Sequence, residues 1–193
     1  YHDSTLNSLT NGTGAIKDAT LSTVQAAVIT ETSGTIYEET RIPTLPTFLA
    51  YASGMDIDVW VEIKKYRTQA DISLMVADIV ASGMETNANI SSFILSDVQA
   101  ARSYSANIGV GFLGSSQVQA TYEAAIDAVK ALGGNGYIIW NYTSLIATPA
   151  IVTYAHLNGV EVATYTVDDN TAAKALIRLG VKKIITDIPL VVK

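Results

Sequence analysis

From residue 55 onward the chain alternates short apolar runs with stretches of helical period, and this alternation constrains the fold more than any other feature of the sequence. The runs fall at Ile57 to Lys64, Asn89 to Leu95, Asn107 to Leu113, Gly136 to Trp140, Val160 to Val167 and Lys182 to Thr186. The intervening stretches carry helix punctuation. Thr68 followed by Asp71 has the spacing of an N-cap with an acidic third residue. Ile72, Met75, Val76, Ile79 and Val80 form one stripe, and Gly83 is placed to stop it. Ile126, Val129 and Leu132 repeat the stripe before Gly133-Gly134. Asp169 can cap the helix of Ala172, Ala173, Leu176 and Ile177, which ends at Gly180. Such βαβα order dictates a parallel sheet with helices packed on it.

Two closures of that sheet are open, a (β/α)₈ TIM barrel and a doubly wound open sheet. The second normally carries a glycine-rich phosphate loop between strand and helix. Here Gly109-Val110-Gly111 lies inside a strand and Gly12-Thr13-Gly14 precedes no long helix. About six βα units follow residue 55, whereas a barrel uses eight over roughly 250 residues. The expectation is α/β: a single TIM-barrel domain over residues 1–193, with its first one or two βα units missing from this chain. Residues 1–54 read as loop-rich, with turn chemistry at Asn11 to Gly14 and a helix start at Ile42-Pro43-Thr44-Leu45-Pro46; Tyr1-His2-Asp3 reads as the end of a strand.

Composition narrows the partners. The net charge of −6, with 12 scattered basic residues, lacks the clustered cations of a nucleic-acid footprint. The doublets Lys64-Lys65 and Lys182-Lys183 stand apart, and the second reads as a solvated face. With no cysteine there is no disulfide framework or thiolate metal site. No apolar run approaches the roughly 18 residues of a membrane span. The low charged fraction, 16%, with many Ser, Thr, Asn and Tyr, leans toward an extracellular, cell-surface or virion-surface protein rather than a cytoplasmic one.

Val59 to Lys64 is the stretch richest in chemistry. Strand alternation puts Val59, Val61 and Ile63 on one face and Trp60, Glu62 and Lys64 on the other. In a barrel the apolar face packs under the helices, so Glu62 and Lys64 point inward. Unpaired charges there cost several kcal/mol unless they hold a metal or a charged ligand. The competing reading is a Glu-Lys pair at an exposed strand end, and spacing alone does not choose. His2, by itself, reads as an exposed bystander, and His156 as a cation at a helix end. Asp187 ends the last strand, where barrel sites are built, or simply turns the chain before Pro189. Asp168 reads as a helix-initiating residue.

Several of these pieces occur in order in one family. His2-Asp3-Ser4-Thr5-Leu6-Asn7, with Thr10 to Gly14, resembles the H-D-x-T-L segment and turn of the glycerophosphodiester phosphodiesterases. Ile42-Pro43-Thr44-Leu45 with Phe48-Leu49 resembles that family's I-P-T-L-x-E-F-L, and Val61-Glu62-Ile63-Lys64 its E-I-K strand. Ser91-Ser92-Phe93 is similar to S-S-F, Gly159 to Asp168 to G-x-x-V-x-x-W-T-V-N, and Gly180 to Pro189 to G-V-D-G-I-I-T-D-x-P.

The resemblance implies a TIM barrel whose mouth binds a divalent cation, Ca²⁺ or Mg²⁺, together with two histidines that share acid and base work. It implies His2 as one of them, Glu62 as a metal-binding carboxylate, Lys64 as a phosphate contact, and Phe93 and Tyr165 as walls for the glycerol moiety. The implied reaction is hydrolysis of glycerophosphodiesters, small or polymeric, to an alcohol and glycerol 3-phosphate. Cleavage of polyglycerol-phosphate polymers such as teichoic acid, and a non-catalytic phosphate-binding barrel, are the alternatives. The sequence departs from the pattern in places. Ser8-Leu9 stands for the usual Arg-Thr, Tyr165 for Trp, and Lys182 for the Asp of G-V-D-G. The H-R-G and E-x-D motifs are not in this chain, so an upstream segment is expected to complete the barrel, and residues 1–193 alone are expected to be inactive.

Overall fold

The computed structural model describes residues 1–30, 34–55, 57–64 and 68–188. Contacts divide the chain into two compact units, Tyr1–Met55 and Asp56–Lys193.

The first unit is built from short elements. Two 3₁₀ turns, Leu6–Ser8 and Ile16–Asp18, precede helices α1 (Leu21–Ala26) and α2 (Leu45–Ala52). Isolated antiparallel bridges, Thr5 to Ala15, Thr10 to Ile29 and Val28 to Arg41, tie its loops together. Leu6 is fully buried, and a side chain at Gly12 would come within 3.2 Å of both Leu6 and Ala27. α2 starts where its sequence directs: Thr44 Oγ1 accepts the Thr47 N–H, and a proline sits in the first turn. Tyr1 to Asp3 take no strand pairing among the described residues, contrary to the strand-end reading.

The second unit alternates strand and helix, with two helices in succession only between β4 and β5: β1 (Val59–Glu62), α3 (Gln69–Ala81), β2 (Ala88–Ser92), α4 (Leu95–Tyr104), β3 (Gly109–Gly114), α5 (Gln119–Ala131), β4 (Gly136–Asn141), α6 (Tyr142–Ala147), α7 (Ala150–Leu157), β5 (Glu161–Tyr165), α8 (Asn170–Arg178) and β6 (Lys183–Ile184). All neighbouring pairs are parallel, in the order β1-β2-β3-β4-β5-β6. That order decides between the two closures. A doubly wound sheet reverses direction at a switch point, whereas right-handed crossovers in unbroken order lay every helix on one face.

The two faces of the sheet differ accordingly. Under the helices lie Ile138, Trp140 and Val162 from the strands, packed with Ile126 and Val129 of α5, Ile151 and Ala155 of α7 and Leu176 of α8. On the opposite face Leu113, Tyr137, Ile139 and Ala163 form their own cluster, with Trp60 and Tyr165 against it.

This second face is concave. In a flat six-stranded sheet β1 and β6 would lie about 24 Å apart. Instead Lys183 of β6 places its Nζ 5.2 Å from the Trp60 ring of β1, 4.7 Å from the Tyr137 ring and 3.9 Å from Asp58 Oδ2. The sheet is therefore curled into a half-barrel. Lys182 matches its reading, pairing with Glu161 at the surface, but Lys183 does not. Its neighbour's opposite orientation on the strand turns it into the lumen, where aromatic faces receive the ammonium.

Local signals in the sequence are realised closely. Thr68 and Asp71 form a reciprocal capping box on α3, and Gly83 takes φ 75° just beyond its end. Asp169 Oδ1 accepts the Ala172 N–H at 2.7 Å, capping α8. β2 stops at Ser92 rather than reaching Leu95, because Ser92 Oγ accepts the Ile94 N–H and turns the chain into α4. β6 is shorter than read, as an edge strand with pairing on one side. Lys65 and Pro189 lie outside the described residues. Among the described residues no helix is long and apolar enough to cross a membrane.

Candidate active site

The carboxyl ends of parallel strands are where a βα sheet presents loops and unpaired backbone, and there four of the five expected site residues lie. β1 ends in Glu62, in register with Ser91 of β2. Lys64 follows, and its Nζ donates to Glu62 Oε2 at 2.7 Å, with the two side chains 39% and 30% exposed respectively. The charges meet each other, as the pair reading expects, and both side chains are half-buried.

Phe93 comes directly after β2 and is largely exposed; Tyr165 ends β5, in register with Asn141. The two rings meet edge to face, centroids 5.9 Å apart and planes at 89°. Tyr165 donates its hydroxyl to the Gly114 carbonyl at 3.1 Å. Partial burial, and secondarily the charge of Glu62, push the Tyr165 phenol above its ordinary range. Glu62, Phe93 and Tyr165 thus all stand at carboxyl ends of strands of one parallel sheet.

Supporting residues escaped sequence reading. Ser92 Oγ donates to the buried Asp97 at 2.8 Å, fixing the loop that presents Phe93. Asp168 does not cap α8. Its Oδ1 accepts Thr186 Oγ1 and the Asp187 N–H, both at 2.9 Å, tying the end of β6 to the end of β5. Asp187 is accordingly described through its backbone in this turn. His156 sits in the last turn of α7, as read, with its ring near Gly180. A signal existed for Asp168 in the motif T-V-D-D, where only one of two adjacent acids can cap.

His2 belongs to the first unit. Its side chain is 79% exposed, and Nδ1 lies 3.0 Å from Asp3 Oδ1.

Of the donors that the implied divalent cation would need, the described residues bring together only part, the Glu62 carboxylate. Among the described residues no group of three or more His, Asp or Glu assembles that could hold a metal ion. Ca²⁺ and Mg²⁺ take six or more oxygen ligands. Glu62 offers one carboxylate, and Lys64 already neutralises it.

A profile of the glycerophosphoryl diester phosphodiesterase family matches residues 1–191. The chain belongs to this family. It is thereby a phosphoric diester hydrolase, of a family that acts on glycerophosphodiesters. No curated protein sequence matches it. Among solved structures it is similar to a candidate glycerophosphoryl diester phosphodiesterase of Agrobacterium tumefaciens, at TM-score 0.82 and 22% identity over 98% of this chain and 75% of that one. A glycerophosphodiester phosphodiesterase of Parabacteroides distasonis gives TM-score 0.78 and 21% identity, over 98% and 73%. A phosphodiesterase of Oleispira antarctica, in complex with the product sn-glycerol-3-phosphate, gives 0.78 and 20%, over 98% and 75%. At these identities the likeness is one of fold: a glycerophosphoryl diester phosphodiesterase half-barrel of six parallel strands.

Proposed function

We propose that this family member hydrolyses glycerophosphodiesters to an alcohol and glycerol 3-phosphate by acid–base catalysis, and that residues 1–193 form one TIM-barrel domain whose first units lie in an upstream segment. The observation that carries the reading is that the Glu62–Lys64 pair and the Phe93–Tyr165 corner stand at carboxyl ends of strands of the same parallel sheet.

A phosphodiester is an anion that repels nucleophiles, so its charge must be offset before attack. Lys64 is an ammonium within reach of Glu62, and a phosphate oxygen can take over one of its three donor positions. Phe93 and Tyr165 supply an apolar wall against the carbon face of glycerol. His2 takes the proton of the attacking hydroxyl or returns one to the leaving alkoxide, since an imidazole can serve as either base or acid. Glu62 is one oxygen ligand toward a divalent cation, Ca²⁺ or Mg²⁺, which when bound would further offset phosphate charge. The product named in the Oleispira structure is the one expected here.

The test uses the full-length protein. Turnover of a deacylated phospholipid diester is measured for His2→Ala and Glu62→Gln, and each is expected to lose about 10²- to 10⁴-fold. Unchanged rates in both would remove the assignments. Release of glycerol 3-phosphate from poly(glycerol phosphate) in preference to the small diester would move the substrate to the polymer.

A further inference from the structure

Ser8 is the last residue of the 3₁₀ turn Leu6–Ser8. The turn is held from beneath by Leu6, whose N–H donates to the Gly14 carbonyl at 3.0 Å and whose carbonyl accepts Thr10 Oγ1 at 2.7 Å. Asn7 Oδ1 accepts the Gly14 N–H at 2.9 Å, closing the loop from the other side. This fixed turn brings Ser8 back over Asp3, and Ser8 Oγ donates to Asp3 Oδ2. The other carboxylate oxygen, Oδ1, faces His2 Nδ1 at 3.0 Å.

A carboxylate accepts and does not donate, so both bonds must run toward it. The serine hydroxyl gives its proton to one oxygen. The imidazole must then carry a proton on Nδ1 to satisfy the other, which leaves the lone pair on Nε2. Because His2 is so exposed, no packing fixes its ring; hydrogen bonds must do it. A surface carboxylate turns broadly about its last torsion unless something holds it.

We infer that Ser8 is a positioning residue: it clamps the Asp3 carboxylate so that Asp3 holds His2 as the Nδ1–H tautomer, with Nε2 as the atom that takes and returns the proton. The Ser8 hydroxyl is neutral, so it orients the carboxylate without cancelling its charge. The inference rests on His2 being the acid–base group, but the tautomer is measurable without turnover.

The experiment labels histidine with ¹⁵N in the full-length protein and reads long-range ¹H–¹⁵N correlations of the neutral ring. His2 is assigned as the resonance lost in His2→Ala. The native ring is expected to be mainly Nδ1–H. Ser8→Ala should shift it toward Nε2–H and lower kcat about tenfold, a size typical of removing a partner one shell out, with KM little changed. Ser8→Thr should restore both. A native ring that is mainly Nε2–H, or a tautomer indifferent to Ser8→Ala, would overturn the inference. A tautomer shift with full turnover in both Ser8→Ala and His2→Ala would leave the clamp standing and remove His2 from the chemistry instead.

Discussion

Lys64 and Lys183 are two lysines associated with one curled sheet, and their partners give them opposite tasks. Lys64 holds a carboxylate at the carboxyl end, whereas Lys183 stands against two rings and a more distant carboxylate. Between these ends, Gly114 joins the core to the mouth. Its carbonyl accepts the Tyr165 hydroxyl, and a Cβ there would fall 2.4 Å from the Trp140 ring, which is almost wholly buried and donates Nε1–H to the Ser116 carbonyl. Gly114→Ala must therefore displace the indole, and it is expected to cost about 1–3 kcal/mol in urea unfolding. Tyr165 has a pH signature. Its phenol titrates higher in the folded chain than its ordinary value of 10.0, so the stability it contributes is complete below that value and is lost as pH rises through the folded pKa. Thermal unfolding followed above about pH 10 should show this loss in the native protein and a shallower one in Tyr165→Phe.

At the scale of elements, α3 is the clearest case of a sequence writing its own structure. Thr68 and Asp71 cap each other's orphan amides, Ile72, Val76 and Ile79 are buried, and Gly83 ends the run in a left-handed turn. Thr68→Ala is expected to destabilise the protein by about 1 kcal/mol in urea, with Thr68→Ser close to native. Hydrogen bonds from Thr68 hold the Asp71 carboxyl below its usual range. The support it gives α3 is thus present above the ordinary carboxylate pKa and fades as pH falls through the depressed one. The strands are legible for the same reason: alternation by itself assigns Trp60 and Glu62 to one face of β1. Their ends are not. β2 stops where Ser92 captures the Ile94 amide, an event that depends on Asp97 holding the serine from the following helix.

At the scale of the molecule, sequential parallel order and concavity are properties of the whole sheet. Lys183 ties them together by reaching from the last strand to residues in and before the first. Lys183→Met keeps the length but removes the charge from between the rings, and is expected to cost about 0.5–1 kcal/mol in urea unfolding. No loss in that variant would mean the curl needs no such tie. From the sequence alone came the βα rhythm, the caps, the facing of Glu62 and Lys64, and the family to which the motifs belong, because each of these is encoded within a few consecutive residues. Only the tertiary structure decided that the sheet curls, that Lys183 lies inside it, that Lys64 closes on Glu62, and that Ser8 folds back onto Asp3. Those outcomes depend on groups brought together by turns and crossovers, whose meeting no local pattern records.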